Sequence, residues 1–262
     1  MNRNPIHDAA ILLWQSWSQS RRIPTLPPMC RPATRSEGYA IQSEVARVSG
    51  QRVLGWKIAA TSTAGQQHIR VDGPLAGRLL ASKVLLPGAV VPLSDNIMKL
   101  GEAEFAFCMG KPLPPRATPY QVHEVLAAVR TLHPAIEIPD SRFTDCAIVG
   151  AAQLIADNAC AGWFIPGAAT NALWRDRDLV NHRVTAMRNG SAACAGKGAN
   201  VLGDPLIALT WIANELGALG EGLKADDMVT TGTCVVPFTI APGDRVRVDF
   251  GDFGSVEAWM TD

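Results

Sequence analysis

Neither sign of charge dominates this chain. Its 262 residues hold 24 Lys and Arg against 24 Asp and Glu, for a formal net charge of zero. That balance creates no bulk field to recruit nucleic acid or an anionic lipid surface. Long apolar runs are missing too, and no stretch approaches the roughly 20 residues that a bilayer span needs. The cysteines Cys30, Cys108, Cys146, Cys160, Cys194 and Cys234 form no Cys-x-x-Cys pair, and the five histidines show no metal-ligand spacing. Zinc ribbons and thioredoxin-like redox motifs are thereby excluded. There is no Gly-x-Ser-x-Gly elbow for a serine hydrolase. The opening Met1-Asn2-Arg3-Asn4-Pro5 leads into a short apolar block over 7–18 that contains Asp8 and Gln15. This reads as an amphipathic helix rather than a signal peptide, so reduced thiols and a cytoplasmic location are expected.

What is present is ample apolar material, 47% of residues with only 18% charged, as in a soluble protein whose subunits also bury surface against each other. Thr34-Arg35-Ser36-Glu37 has capping-box spacing, and Ile41, Val45 and Val48 follow at helical intervals up to a terminating Gly50. Strands are predicted over 52–59, 83–92, 102–109 and 135–138, and a helix over 119–132. Val184 to Cys194 folds around Asn189-Gly190, a hairpin signal. A helix over 205–219 takes Asp204 as N-cap. Strands follow at 228–231 and 245–250, where Val246, Val248 and Phe250 alternate. There is no regular βαβ alternation, which favours an α+β fold with a curled or sandwiched sheet over a Rossmann fold.

The chemistry concentrates in carboxylates. Glu102 and Glu104 lie two apart in a strand-like run, so their side chains share one face roughly 7 Å apart. A Glu-x-Glu is also how a solvated strand face reads. Glu137, however, sits between Ile136 and Ile138, where an acid is costly to bury unless something cationic neutralises it. Three carboxylates suit a hard cation, Mg²⁺ or Mn²⁺, rather than zinc. An ion so held keeps open positions for a chelating 2-oxo acid. Lys57, within Leu54-Gly55-Trp56-Lys57-Ile58-Ala59, is either an edge residue whose ammonium reaches water or the partner of a substrate carboxylate or enolate. Gly196-Lys197-Gly198 and Thr230-Thr231-Gly232-Thr233 offer donors for an anion, making Lys197, Thr231 and Thr233 candidate substrate contacts. Arg142, Arg70 and Arg78 are candidates to receive a second carboxylate at the far end of a substrate.

In order along the chain stand Gly55-Trp56-Lys57-Ile58, Val71-Asp72-Gly73-Pro74, Glu102-Ala103-Glu104, Glu137-Ile138-Pro139-Asp140-Ser141-Arg142, Asp157-Asn158-Ala159, Leu202-Gly203-Asp204-Pro205 and Ala241-Pro242-Gly243-Asp244. The set resembles the 2-oxopent-4-enoate hydratase and 4-oxalocrotonate decarboxylase family, within the fumarylacetoacetate hydrolase superfamily. The resemblance implies a mixed β-sandwich roll with flanking helices, divided into a helical N-terminal region over 1–50 packed on a catalytic domain over 51–262. It also implies a homo-oligomer, able to associate with a pathway partner. It makes Glu102, Glu104 and Glu137 the metal ligands and Lys57 the active-site lysine, and it adds Asp72 and Cys160 as catalytic positions. The implied reaction is metal-dependent hydration of a 2-hydroxy-2,4-dienoate in the catabolism of aromatic compounds. The alternatives are decarboxylation of a vinylogous 2-oxo diacid and a non-catalytic partner subunit. Two positions depart from the hydratase pattern: Leu75 stands where a second acid is common, and Cys160 where serine is.

Overall fold

The computed structural model describes residues 4–262; the Met1-Asn2-Arg3 portion of the opening segment lies outside them. In chain order the elements are α1 (Pro5–Ser18), α2 (Arg35–Ser49), β1 (Val53–Ala59), α3 (Thr63–His68), β2 (Leu75–Leu80), β3 (Val90–Pro92), β4 (Leu100–Met109), α4 (Val122–Ala128), β5 (Val129–Ile138), α5 (Ala151–Ala156), β6 (Trp163–Pro166), β7 (Arg183–Arg188), β8 (Ser191–Lys197), α6 (Pro205–Ala218), β9 (Met228–Thr233), β10 (Phe238–Thr239), β11 (Arg245–Asp249) and β12 (Ser255–Thr261).

The helices start where their caps dictate. Thr34 Oγ1 accepts from Glu37 N at 3.2 Å while Glu37 returns a carboxylate oxygen to Thr34 N at 3.2 Å, so two otherwise orphaned donors are satisfied reciprocally. Gly50 closes α2 in the left-handed conformation, φ +64°. Asp204 accepts from Leu206 N at 2.8 Å ahead of Pro205, which opens α6. α1 and α2 pack on each other, and α2 also lies on α5.

Two mixed sheets make up the rest. One runs β2-β1-β9-β4-β5-β6 with β10 beside β4; the other runs β3-β12-β11-β7-β8. Both carry one parallel pair, β1 with β9 and β3 with β12, among antiparallel neighbours. Strand parity decides which face meets which. On β4 the odd positions Ala103, Phe105 and Phe107 join Trp56, Ile58, Ile136 and Ile138 in the main core. There Phe105 meets Phe250 edge-on at 4.9 Å between ring centroids, beyond the end of β11 in the second sheet. The even positions of β4, the odd ones of β5 and Lys57 of β1 therefore emerge on the opposite face.

Two expected elements changed. The helix predicted over 119–132 ends at Ala128, because Val129 and Thr131 are recruited into β5, which pairs with β4 along its length. In the strand predicted over 83–92 only β3 forms; residues 81–83 make a 3₁₀ turn and the chain bends at Pro87-Gly88. Strands β2, β6 and β12, absent from the sequence reading, complete the sheets.

Candidate metal centre and cavity

Antiparallel pairing of β4 and β5 sets Glu102 opposite Glu137 and Glu104 opposite Ala135, with Thr233 of β9 on the other side of Glu104. The three glutamates thus emerge from one face, and one oxygen from each lies within 4.8 Å of the others. Glu104 and Glu137 are each 1% exposed and Lys57 3%. Lys57 Nζ lies 2.9 Å from Glu137 Oε1 and donates to Ala159 O at 3.0 Å. Glu104 Oε2 accepts from the Thr230 hydroxyl and from Gly232 N, the latter at 2.9 Å. Gly232 is required there: its φ is +100°, and a Cβ would stand 2.1 Å from Thr61 Oγ1.

Burial raises the pKa of all three acids above the ordinary carboxylate range. Glu102 is pushed up to about 7, by desolvation first and then by the Glu137 charge. Desolvation followed by Glu137 and Glu102 drives Glu104 well up. Desolvation raises Glu137 against the opposing pull of Lys57. For Lys57, burial alone would favour the neutral amine, but Glu137, Glu102 and Glu104 together outweigh it and raise its pKa.

The donor set fits a divalent ion. Although Lys57 approaches at ion-pair distance, neither oxygen of Glu137 has an aligned hydrogen bond, in a side chain otherwise sealed from water. A buried acceptor in that condition is expensive. Three ionised carboxylates beside one ammonium leave a charge of −2, which one dication cancels, and all-oxygen donors suit a hard cation.

These groups border a cavity of about 530 Å³ whose lining includes Lys57, Glu102, Glu104, Thr61, Thr233 and Cys160. A groove of about 490 Å³ beside Arg116 and Tyr120 has no acid in its lining. One wall of this cavity is a single left-handed turn in which Asn158, Ala159 and Cys160 have φ of 57°, 51° and 58°. Left-handed geometry costs roughly 1–2 kcal/mol per non-glycine residue, so the turn needs outside support. Asn158 supplies part of it, accepting from Arg78 N and donating to Arg78 O, both at 2.7 Å. Arg142 supplies the rest: its guanidinium binds the Asp157 carboxylate, Asp157 O and, at 2.7 Å, Ala161 O.

That placement corrects several sequence expectations. Arg142, read as a substrate contact, is 1% exposed and fully engaged under the turn. The Asp72 side chain is 87% exposed and faces Arg35 at 3.4 Å, outside the cavity, because Asp72-Gly73-Pro74 turns the chain outward before β2. Lys197 ends β8 in solvent. Thr231 points to the opposite face of β9 and donates to Phe105 O at 3.1 Å. Its neighbours Thr230 and Thr233 reach the acid side instead, because Gly232 shifts the β9 register against Glu104 and Ala106. Cys160 does line the cavity, beside Cys146; contact with that thiol and burial raise its pKa, so it stays protonated. The sequence reading placed Thr230 and Gly232 only in a donor run for an anion and Ala159 only within a motif; their roles as partners of Glu104 and of Lys57 were not anticipated. Strand parity on 228–233 carried a signal for Thr230, whereas the motif around Ala159 gave no hint that its carbonyl meets Lys57.

The family model for the fumarylacetoacetate (FAA) hydrolase C-terminal domain matches residues 74–260. A 2-keto-4-pentenoate hydratase from Burkholderia vietnamiensis is 32% identical over 99% of this chain and 98% of its own. A 4-oxalocrotonate decarboxylase from Pseudomonas putida is 32% identical over 86% of this chain and 85% of its own. The solved 4-oxalocrotonate decarboxylase from Pseudomonas putida G7, complexed with magnesium and adipate, superposes with a TM-score of 0.89 at 28% identity, covering 99% of this chain and 98% of that one. A fold, a cluster of acids and full-length relatives converge, and the chain belongs to the fumarylacetoacetate hydrolase family.

Proposed function

We propose that the protein is a divalent-cation-dependent lyase that adds water to a 2-hydroxy-2,4-dienoate, or its 2-oxo-alkenoate tautomer, to give a 4-hydroxy-2-oxo acid in the catabolism of aromatic compounds. The convergence of Glu102, Glu104 and Glu137 on one point, at a cavity lined by Glu102, Glu104 and Lys57, carries the reading. The three glutamates would hold the ion, Mg²⁺ or Mn²⁺ by their donor chemistry, and its contribution when bound is Lewis acidity toward the oxygens of a 2-oxo acid.

Lys57 remains an ammonium under the influence of three glutamates. It serves as a hydrogen-bond donor to negative charge developing on the substrate's 2-oxygen, as an oxyanion hole does, and not as a base. One N–H goes to Ala159 O and the charge pairs with Glu137, which leaves donor capacity on the ammonium for the cavity. Cys160 Sγ keeps its proton at the wall, where it can donate but not abstract. Ile58, Leu75 and Leu154 keep bulk water from the conjugated chain. Ketonisation carries the enol proton to the distal carbon, after which the water oxygen bonds the carbon β to the ketone and its proton the carbon α. Loss of the dienoate's ultraviolet absorbance with purified protein and Mg²⁺ tests this. Metal-bound protein that turns over none of several dienoates would refute it.

One observation favours a second reading, decarboxylation of a 4-oxalocrotonate-type diacid. Leu75 is buried in the cavity wall, and the only carboxyls in the lining are Glu102 and Glu104. Loss of CO₂ needs no water-activating acid. Release of CO₂ from 2-oxohex-3-enedioate separates the two reactions. The intact acid cluster with Lys57 opposes a purely non-catalytic partner role. The proposal includes a cytoplasmic homo-oligomer able to associate with a pathway partner; no described helix is long and apolar enough to cross a membrane.

A further inference from the structure

We propose, on the basis of that reading, that the substrate's far end is a hydrocarbon tail rather than a second carboxylate. The cavity holds about 530 Å³, within the range of about 300–1,000 Å³ of sites that enclose drug-sized ligands and well beyond the needs of a short dienoate. Past the glutamates its walls are Ile58, Ile69, Leu75, Met98, Leu154 and Val235.

Several polar side chains of the lining already have a partner within the protein. Ser62 Oγ caps α3 by accepting from Gly65 N at 3.1 Å, Asn200 Nδ2 donates to Cys234 O at 2.7 Å, and Thr233 Oγ1 donates to Val235 O at 2.9 Å. Thr61 lies against Gly232, at the acid end. Lys57 belongs to the glutamates, and among the described residues the one other basic side chain in the lining is His68, exposed at the end of α3. Among the described residues no arginine lines the cavity. Arg78 pairs with Glu221 at 2.6 Å and stacks on Trp56, Arg142 is locked beneath the left-handed turn, and Arg70 is exposed elsewhere. A second carboxylate against these walls would give up water for methyl and methylene groups, with no lysine or arginine beside it among the described residues and only the exposed His68 and a few neutral donors in the rest of the lining. An alkyl tail gains from the same walls.

The experiment compares matched 2-oxo acids that cannot react, measured by calorimetry on Mg²⁺-loaded protein. Affinity should rise about fourfold per buried methylene from 2-oxobutanoate to 2-oxohexanoate. It should fall at least about tenfold from 2-oxohexanoate to 2-oxoadipate, which differs only at its end. Val236→Arg, at a cavity residue that is 74% exposed, and Met98→Arg should narrow that second gap. Wild-type protein that binds 2-oxoadipate as tightly as 2-oxohexanoate would overturn the proposal, as would both variants leaving the ratio unmoved. Dienoate turnover is scored separately: an alkyl preference without turnover refutes the hydratase reading and keeps the tail pocket, whereas turnover with a carboxylate preference does the reverse.

Discussion

Glu104 has the densest set of contacts in the site: a threonine hydroxyl and a glycine N–H on one oxygen, with two other acids close by. Glu104→Gln keeps its shape and removes its charge. It should lower divalent-cation affinity and kcat by about a hundredfold or more, while the thermal transition of the metal-free protein is retained or rises. Unchanged metal affinity in calorimetry would exclude Glu104 as a ligand. The same acids set a pH dependence. A carboxyl raised to about 7, as in Glu102, holds a proton in the folded, empty site that the unfolded chain has already released. The metal-free fold therefore loses stability as pH climbs from the ordinary glutamate value of about 4.5 to 7. Metal must displace that proton, so the rise in Tm given by saturating Mg²⁺ should be larger at pH 8 than at pH 5.5; an equal rise at both would remove the buried acids from the site. Much at this scale was legible in the sequence, because an acid between two isoleucines has few explanations. Asp72 and Thr231 were misplaced for want of local geometry, the one lying in a turn and the other on the wrong side of a strand.

At the scale of elements, the left-handed turn over Asn158–Cys160 is what brings Ala159 O to Lys57 and Cys160 to the cavity. Its support by Arg142 and Asp157 is a buried ion pair, and removing one partner of such a pair costs about 3–5 kcal/mol. Arg142→Ala should lower denaturant-unfolding stability by about that amount and depress kcat more than it raises KM. A rise in KM at unchanged stability would return Arg142 to substrate binding. β1, β4, the α2 cap and the hairpin of β7 and β8 were readable because each carries a local signal: alternation, a capping box, Asn-Gly. The α4–β5 boundary was not, since the apolar pattern of residues 122–132 suits a helix until β4 offers a pairing edge. No local pattern announces three successive left-handed residues, which exist only because distant side chains hold them.

For the whole molecule, an α+β fold with a mixed β-sandwich roll was anticipated, yet the cavity was not. Its walls come from segments around 57–75, 98–104, 139–160, 200 and 232–237, and only the finished packing brings them together. Reading this volume from sequence would require knowing every crossing in the sheet β2-β1-β9-β4-β5-β6 beforehand. Charge balance offers a more tractable handle on the assembled site, since an acid trio with two members buried and a single ammonium calls for a dication. The most direct test is anomalous scattering from crystals of the protein soaked in Mn²⁺. The account predicts one strong peak bonded to oxygens of Glu102, Glu104 and Glu137, lost in crystals of Glu104→Gln. A Mn²⁺ peak elsewhere, with those three side chains unliganded, would contradict it.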